Sequence, residues 1–531
     1  MLKTGAALIG LLISSIIGPV VGADPPACPS TTNSQYDYIV VGAGAGGGPL
    51  AARLALNGYK VLLLEAGPDS YQNNVTIPFY FGRTTEDEKL ALDYEVDHYT
   101  SPNNVTAWYP RSQGIGGSTI HNALIHMRAQ NWDFDNIADI TGDSSWRSSS
   151  MQKYLTRLEK NLYVPEQAGG SLGYGYDGWL STNSAPFNLV NGDEQIGSIM
   201  NTLMSSVPAI GGSDWNNLTA DGVAGSATLT FTRDQYGNRS STRDHLVDVR
   251  TRFPDKLTIQ TETMATRILI CKSSDGSLQA YGVEAASGSY LLPVARQFAG
   301  KRTLNLKTYT ARYEIISSAG TFQTPQLLML SGIGPSQQLS NLGISTFVDL
   351  PGDKLDINKN YLGSAESIED LTILRDNIQK SRRYVASTPQ INRWIVQETW
   401  PGSQYQTDEQ LWEFLRANVF GHHLCCSAKI GADNDSMAVL NSQFQLRGVK
   451  NLRVVDASVF PDIPGMFITT PIYTISEKAA DLVLDTAKAN GWGTGAAAVT
   501  GNSNSGTSIK VSVDIDVMEE WGCFDTGSDA L

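Results

Sequence analysis

A cluster of glycines near the start of the chain, followed by one acidic residue, has the spacing of a nucleotide-binding site. Gly42, Gly44 and Gly47 fit the pattern GxGxxG, and Glu65 follows after one further helix and strand pattern. In this pattern the first glycine permits a tight turn, the second lets the backbone approach a pyrophosphate, and the third lets helix and strand pack closely. An acidic residue at the position of Glu65 accepts hydrogen bonds from a ribose hydroxyl and repels a 2′-phosphate. The spacing therefore predicts dinucleotide binding, with NADP disfavoured.

The residues around these glycines predict the elements that would position them. Residues 36–41 (YDYIVV) form a short apolar run typical of a buried parallel strand, residues 49–57 have a helical pattern, and residues 60–64 (KVLLL) form a second buried strand. The glycines thus lie in the turn of a βαβ unit, where a helix N-terminus directs N–H groups and a positive dipole at phosphates. A flexible glycine-rich surface loop is the alternative, and the strand–turn–helix context argues against it.

The rest of the chain alternates between strand and helix patterns, which is typical of an α/β fold. We predict helices over residues 244–252, 325–331, 366–385 and 471–489, and strands over residues 257–271, 281–292, 313–318 and 452–455. From residue 491 onward the chain becomes rich in Gly, Ser and Thr, and we predict a flexible C-terminal tail over residues 489–531.

Composition and charge exclude some classes of function. The 531 residues are 41% hydrophobic and 17% charged, the mix of an ordinary globular protein. The net charge of −14 and the absence of a long basic run argue against nucleic acid as a partner, because phosphate binding needs clustered Lys and Arg.

Residues 1–23 predict a secretory signal peptide. Lys3 supplies positive charge, residues 6–17 are apolar but too short to span a bilayer, and small residues follow Pro19. A membrane anchor is the alternative, and the short apolar run argues against it. We therefore predict a secreted, extracellular glycoprotein with no membrane partner. Five Asn-x-Ser/Thr sequons fit this prediction, at Asn74, Asn104, Asn217, Asn238 and Asn434.

The predicted extracellular location bears on the choice of cofactor, and the cysteines bear on disulfides and metal binding. A secreted enzyme has little free NAD to use, which favours a tightly held flavin on the glycine fingerprint. The five cysteines are too few for a disulfide scaffold, and they show no CxxC or Cys/His ligand spacing, so we expect no structural zinc. They are Cys28, Cys271, Cys425, Cys426 and Cys523.

Four blocks of sequence resemble the glucose-methanol-choline (GMC) family of FAD oxidoreductases, in the family's order. The third block is the most specific, and the blocks together span residues 36–488. They are the glycine fingerprint with LLLEAG (62–67); GIGGSTIHN (114–122); SAGTFQTPQLLMLSGIGP (318–335); and GHHLCCSAKIG (421–431) with the later LRVVDASVFP (452–461) and SEKAADLV (476–483).

This resemblance implies a Rossmann-like FAD-binding domain joined to a substrate domain, with the flavin between them. The FAD domain would comprise residues 36–131, 244–352 and 421–488, and the substrate domain residues 132–243 and 353–420. Several residues would contact the cofactor because they match family positions beside it: Gly116, Gly117, Asn122, Asp456 and Ala457.

His121 has two interpretations under the resemblance. Some family members, choline oxidase-like ones among them, carry at this position a histidine that bonds covalently to the flavin 8α carbon. Like those members, this chain has His121 followed by Asn122. The alternative is a packed, hydrogen-bonded histidine near the ring.

The catalytic base is assigned by the family pattern H-x-x-x-[ST]-x-K-M-G. Residues 423–431 match this pattern with Ile430 in place of Met, so His423 is the candidate base that removes the hydroxyl proton while hydride leaves for flavin N5. Histidine suits this task because its pKa lies near neutral pH. His422 is expected to point the other way on an extended segment. A purely structural role for His423 is the alternative.

Two departures from the family put turnover in question. Phe467 stands where members carry a His or Asn that helps to bind the substrate oxygen, and Phe cannot hydrogen-bond an alkoxide. After DLPG (349–352) a long stretch of substrate domain has no counterpart, and the match resumes near residue 367. Two hypotheses follow: an FAD-dependent oxidoreductase acting on an alcohol or sugar, and a catalytically impaired or non-redox flavoprotein on the same scaffold.

Overall fold

The computed structural model describes most of the chain. The described residues are 24–99, 105–185, 192–206, 208–300, 303–353, 365–419 and 421–493. The predicted signal peptide (1–23), the sequon at Asn104 and residues 494–531 of the predicted tail lie outside them.

The strands differ widely in length. In chain order they are β1 (Tyr36–Val41), β2 (Val61–Leu64), β3 (Ala91–Tyr99), β4 (Val105–Ser112), β5 (Ile125–His126), β6 (Glu159–Asn161), β7 (Leu180–Ser184), β8 (Ala209–Asp214), β9 (Ser226–Thr228), β10 (Thr230–Phe231), β11 (Leu257–Gln260), β12 (Thr263–Lys272), β13 (Leu278–Ser287), β14 (Asn305–Ser317), β15 (Ile333–Gly334), β16 (Val348–Asp349), β17 (Val449–Lys450) and β18 (Leu452–Val454).

The helices are distributed between these strands along the chain. In chain order they are α1 (Gly47–Leu56), α2 (Asn73–Thr76), α3 (Phe81–Thr85), α4 (Asn131–Thr141), α5 (Ser148–Leu158), α6 (Glu166–Gly169), α7 (Glu194–Ser206), α8 (Thr242–Arg252), α9 (Gln323–Leu330), α10 (Ser336–Asn341), α11 (Ala365–Ser387), α12 (Pro389–Asn392), α13 (Asp408–Asn418) and α14 (Thr469–Ala489). None of these helices combines the length and apolar character that crossing a bilayer requires.

The large sheet is built around the predicted βαβ unit. Its strands follow the order β11, β2, β1, β14, β13 and β12, with β18 paired to β14 and β17 to β13. Strands β11, β2, β1, β14 and β18 pair in parallel. Strands β1 and β2 are almost wholly buried because helices cover both faces of a parallel sheet, which explains their uninterrupted apolar sequence. Helices α8 and α14 pack against α1, and the largest apolar core surrounds this sheet.

Strand β14 is longer than the sequence predicts. The apolar run indicates a strand only from residue 313, whereas the structure extends it back to Asn305. Residues 305–308 are exposed because this half pairs only with β13 in an antiparallel ribbon, whereas the second half pairs with β1 in the buried parallel sheet. Strand β14 also contacts the start of the predicted C-terminal tail (489–531), since Trp492 stacks on Tyr313 with ring centroids 4.6 Å apart.

A second, smaller sheet anchors the start of α14. Strands β5, β10, β7 and β6 form it. Within it the buried His126 ring lies 3.4 Å from a carboxylate oxygen of Glu159 and forms a 3.0 Å hydrogen bond with the Thr470 hydroxyl. Because Thr470 belongs to the first turn of α14, this contact fixes the chain just after Phe467.

Candidate active site

One cavity of about 430 Å³ unites the glycine fingerprint with the candidate base. Residues from all four family-like blocks line it, together with the ends of β2 and β4. Of the residues that the sequence singles out, the lining includes Gly42, Gly44, Glu65, Gly117, His121, Asn122, His422, His423, Asp456, Ala457 and Phe467. Gly47 and Gly116 are not part of the lining.

The glycine fingerprint is shaped by close backbone contacts. Gly42 has a φ of +100°, and a Cβ there would lie 2.2 Å from the Ser318 carbonyl oxygen. Gly47 lies where α1 meets the sheet, and a Cβ there would lie 2.2 Å from the Gly42 carbonyl oxygen. Gly44 differs, because the nearest atom to a Cβ at this position is the Gly117 Cα at 4.0 Å. Gly44 therefore borders free space in the cavity, as a residue that a pyrophosphate approaches must.

The second glycine cluster crosses the first. A Cβ on Gly117 would lie 2.9 Å from the Gly44 Cα, so the second loop needs a residue without a side chain where it crosses the first. Gly116 does not border the cavity, contrary to the expectation that it lies beside the flavin. Its φ is +106°, and its N–H donates to the Ala43 carbonyl at 2.9 Å. Gly116 therefore joins the two glycine loops through the backbone without lining the cavity.

Glu65 holds three loops together as well as lining the cavity. One carboxylate oxygen accepts from the Ala43 N–H at 3.0 Å, and the other accepts from Gly67 at 2.9 Å and Gly114 at 2.8 Å. Burial raises the pKa of this carboxyl, and the three backbone donors oppose that rise. The sequence predicts an acceptor for ribose here, and the structure adds that the same group organises the cradle.

Asp456 joins two of the family-like blocks. One of its carboxylate oxygens accepts from the Gly320 N–H at 2.9 Å and from the Thr324 hydroxyl at 2.6 Å, and the other accepts from the Ser458 N–H at 2.8 Å. Ala457 lies next to it on the cavity wall and its carbonyl accepts from the Cys426 N–H. Both residues therefore border the space predicted for the cofactor.

Asn122 is held by a buried arginine that the sequence does not single out. The Arg239 guanidinium donates to the Asn122 side-chain oxygen at 2.6 Å and to the carbonyls of Asn122 and Thr119. The Asn122 amide in turn lies 3.5 Å from the Thr469 hydroxyl. An isolated arginine in a polar stretch carries no spacing signal, so only the fold reveals this contact.

His121 is buried at the cavity wall and has an unpaired ring nitrogen. The residue is only 7% exposed, yet its Nδ1 has no hydrogen-bond partner among the described residues. Burial, reinforced by the positive charges of Arg111 and Arg239, lowers the pKa of His121 to about 3. The ring is therefore neutral at physiological pH and keeps a free lone pair or N–H for a group in the cavity.

His423 faces the same cavity, next to Phe467. The two ring centroids are 5.5 Å apart in an edge-on arrangement. Burial, followed by the charges of His422 and Arg111, lowers the pKa of His423 to about 4, against a weak opposing hydrogen bond with the Met466 backbone. His422 does not point away as expected, because the segment is an irregular loop rather than a strand, and its ring lies 4.1 Å from that of His423.

Arg111 is a second arginine that sequence reasoning missed. Its guanidinium donates to the His422 carbonyl at 2.8 Å and to the Pro110 carbonyl at 2.8 Å, and it lies over the Phe322 ring. It ties the end of β4 to the loop that carries His423. Its charge also lowers the pKa values of all three histidines at the cavity.

Comparison with known proteins finds the same family over most of the chain. Two models described as GMC oxidoreductase match residues 36–360 and 344–476. The oxygen-dependent choline dehydrogenase of Photobacterium profundum is 26% identical over 568 aligned residues, which cover 85% of this chain and 93% of that protein.

Solved structures share the fold. Formate oxidase from Aspergillus oryzae RIB40, solved to study the effect of a mutation on FAD modification, superposes with a TM-score of 0.71, 19% identity, and coverage of 88% of this chain and 100% of that one. Pyridoxine 4-oxidase from Mesorbium loti has a TM-score of 0.68 at 19% identity, with coverage of 85% and 99%.

The residues present fit FAD. The crossing at Gly44 and Gly117 leaves free backbone for a pyrophosphate, Glu65 lies at the adjoining wall, and His121, which has an unpaired ring nitrogen, lines the same cavity. No cluster of side chains suited to a metal ion occurs among the described residues. On the fold, the cradle and the match over residues 36–360, this chain belongs to the GMC oxidoreductase family, whose members bind FAD.

Proposed function

We propose that the protein is a secreted FAD-dependent oxidoreductase that oxidises a CH–OH group of an alcohol or sugar, with His423 as the base. The observation that carries this proposal is that His423 faces the same cavity as the nucleotide cradle. FAD, when bound, supplies the hydride acceptor.

His423 has the protonation state that a base requires. Because its pKa is lowered to about 4, the imidazole is unprotonated at neutral pH and can accept the hydroxyl proton. The same shift makes it a weaker base than free imidazole, so positioning must supply much of the rate. The Phe467 ring beside it makes that side of the cavity apolar.

Anaerobic reduction of the purified protein tests this function. The protein should show the visible absorption of an oxidised flavin, and an alcohol or sugar substrate should bleach that absorption when oxygen is absent. A protein that is coloured but is bleached by no member of a broad panel of alcohols and sugars would contradict the proposal. A colourless protein that cannot be loaded with FAD would contradict both flavin hypotheses.

The unpaired Nδ1 of His121 supports a covalent link to the flavin. A ring nitrogen that is buried, neutral and without a protein partner is free to form that bond. Acid precipitation separates this form from a packed histidine, because a covalent flavin stays in the pellet. The matched variant His121→Asn should release all colour to the supernatant, and release from the unmodified protein would exclude the link.

A catalytically impaired or non-redox flavoprotein is the second candidate, and two observations favour it. Phe467 leaves His423 without a neighbouring hydrogen-bonding side chain at the family's second position. The alignment with the choline dehydrogenase is longer than this 531-residue chain, so that relative contains residues with no counterpart here. Sequencing the transcript across residues 352–366 shows whether this shortening belongs to the gene or to a missing exon.

Secretion is supported by the sequence of residues 1–23 and by the disulfide between Cys28 and Cys271. We expect the purified extracellular protein to begin near residue 23, which N-terminal sequencing measures.

Glycosylation at Asn217 is excluded from this proposal, because its side chain is buried and accepts hydrogen bonds from Thr219. Asn238 and Asn434 are exposed and remain the favoured sites.

A further inference from the structure

The turn that follows His423 contains an unusual covalent feature. Cys425 and Cys426 are adjacent in sequence and form a disulfide with each other. Cys426 has a φ of +75°, a left-handed backbone conformation that residues with a side chain rarely adopt. The disulfide closes a small ring that includes the peptide bond between the two cysteines, and so restricts the backbone in this turn.

The same turn is attached to the cavity wall on either side of the disulfide. The Cys426 N–H donates to the Ala457 carbonyl at 3.1 Å. The Thr321 hydroxyl donates to the Leu424 carbonyl at 3.0 Å, and the Ser427 hydroxyl donates to the Thr321 carbonyl at 2.8 Å. These bonds hold residues 424–427 against the cavity wall, and the left-handed residue turns the chain between the Cys426 N–H and the Ser427 side chain.

His423 depends on this turn because few other contacts hold its side chain. Its ring contacts the rings of His422 and Phe467 and shares one hydrogen bond with the Met466 backbone, and among the described residues no side-chain carboxylate orients it. The backbone of the loop therefore sets where the imidazole lies relative to these few contacts.

We propose that the Cys425–Cys426 disulfide is a positioning element that holds His423 toward the cavity by locking the left-handed turn at Cys426. This inference rests on the proposed role of His423 as the base. Opening the disulfide with a dithiol breaks the S–S bond and gives two cysteine thiols, while the dithiol supplies the two electrons and two protons and becomes a cyclic disulfide. The site would thereby become sensitive to thiol reductants.

Two double variants of the holoenzyme distinguish the effect of the restricted backbone from the effect of losing the two cysteine side chains. Cys425→Ser with Cys426→Ser removes the bond and leaves a side chain at the left-handed position. Cys425→Ser with Cys426→Gly removes the bond but supplies a residue that adopts this conformation freely. We expect the first pair to lower kcat by roughly 10- to 100-fold with its flavin absorption retained, and the second pair to recover most of that loss.

Two further measurements report on the loop rather than on overall structure. Amide hydrogen exchange of residues 422–428 should accelerate in the serine pair and return toward the wild-type rate in the glycine pair. The acid limb of the kcat/KM profile should move to higher pH in the serine pair, starting from about pH 4 in the wild type. The reason is that a loosened His423 becomes hydrated, which removes the burial that lowers its pKa. The neighbouring titratable and charged groups, His422 and Arg111, remain in place. Removing the Cys28–Cys271 disulfide with serines is the matched control, and it should leave exchange in this loop unchanged.

Three outcomes would overturn the inference: wild-type exchange and pH profile in the serine pair, equal impairment of the glycine pair, or equal loosening of the loop in the Cys28–Cys271 control. If the serine pair fails to fold, brief dithiothreitol treatment of folded wild-type protein, with thiol alkylation and mass spectrometry to identify Cys425 and Cys426, gives the same comparison. Failure of the proposed function is distinguishable, because it leaves the wild-type flavin unbleached by every alcohol whether or not the exchange rates differ.

Discussion

The two ends of the cavity are built by different means. At the nucleotide end, backbone atoms define the surface, and the carboxylates of Glu65 and Asp456 are each occupied by several donors. At the opposite end, side chains define the surface, and His423 lies in an irregular loop next to Phe467, with the 60% exposed Met466 nearby. We therefore expect most substitutions at the first end to disturb the fold, and substitutions at the second end to change catalysis more than folding. The experiments below test this contrast, from the largest expected effect to the smallest.

Replacing the candidate base should have the largest effect on catalysis. For His423→Asn we expect kcat to fall by roughly 10²- to 10⁴-fold, the contribution of a general base, with flavin content unchanged. Stopped-flow measurement of anaerobic flavin reduction reports the step directly. His422→Asn is the matched control and should lose less than about tenfold. Equal losses in the two variants would show that neither ring alone is the base.

Two glycines of the fingerprint should separate folding from binding. In Gly42→Ala the new Cβ would meet the Ser318 carbonyl at 2.2 Å with φ at +100°, so we expect a loss of roughly 2–4 kcal/mol in the free energy of unfolding. In Gly44→Ala the methyl group enters open cavity, so the apoprotein should keep its stability while its affinity for FAD falls. Denaturant unfolding and FAD titration measure these effects. Equal stability losses would contradict the contrast.

Buried His245 should make the free energy of unfolding decrease at acid pH. It lies in α8, stacked on Trp179, and burial together with the charges of Arg53 and Arg252 lowers its pKa from 6.5 to about 3. The unfolded chain therefore takes up this proton first as pH falls, so stability is fully present above pH 6.5 and declines toward pH 3.

At pH 4.5 this residue alone should cost roughly 2–3 kcal/mol of the free energy of unfolding relative to pH 7. The variant His245→Gln, which does not titrate, should show a correspondingly smaller difference between the two pH values in urea unfolding. The same slope in both proteins would assign the acid sensitivity to other groups.

Restoring a polar group at the second catalytic position should have the smallest effect. Phe467→Asn places a hydrogen-bonding side chain near His423, and one added hydrogen bond to the substrate oxygen corresponds to roughly a tenfold gain in kcat/KM. Phe467→Leu is the matched control for lost ring volume. A gain in the Leu variant equal to that in the Asn variant would show that space, rather than hydrogen bonding, limits the reaction.

The nucleotide end was predictable because its geometry requires particular residue types. Gly42 and Gly44 mark backbone that must turn tightly or approach a ligand, and such positions leave a pattern in the sequence. The three bonds to Glu65 were not predictable, because their donors are backbone N–H groups that every residue carries. Arg111 and Arg239 were missed for a related reason, since single basic residues have no periodicity.

The substrate end was predictable only in part. The family pattern identifies His423, and the structure places it at the cavity. The side of the loop that His422 occupies could not be derived, because alternation of side chains holds for a strand and this segment is irregular. The first half of β14 was not predicted because its two apolar residues, Leu306 and Tyr309, are separated by polar residues and give no continuous run, even though this half pairs in a sheet.

Glu65 also couples the cofactor site to the stability of the fold. Its carboxylate accepts hydrogen bonds from the backbone of Ala43, Gly67 and Gly114, so the group that borders the nucleotide space also joins separate segments of the chain. A substitution at Glu65 should therefore lower the free energy of unfolding together with the affinity for FAD, and weaker FAD binding in such a variant would not by itself identify a ribose contact.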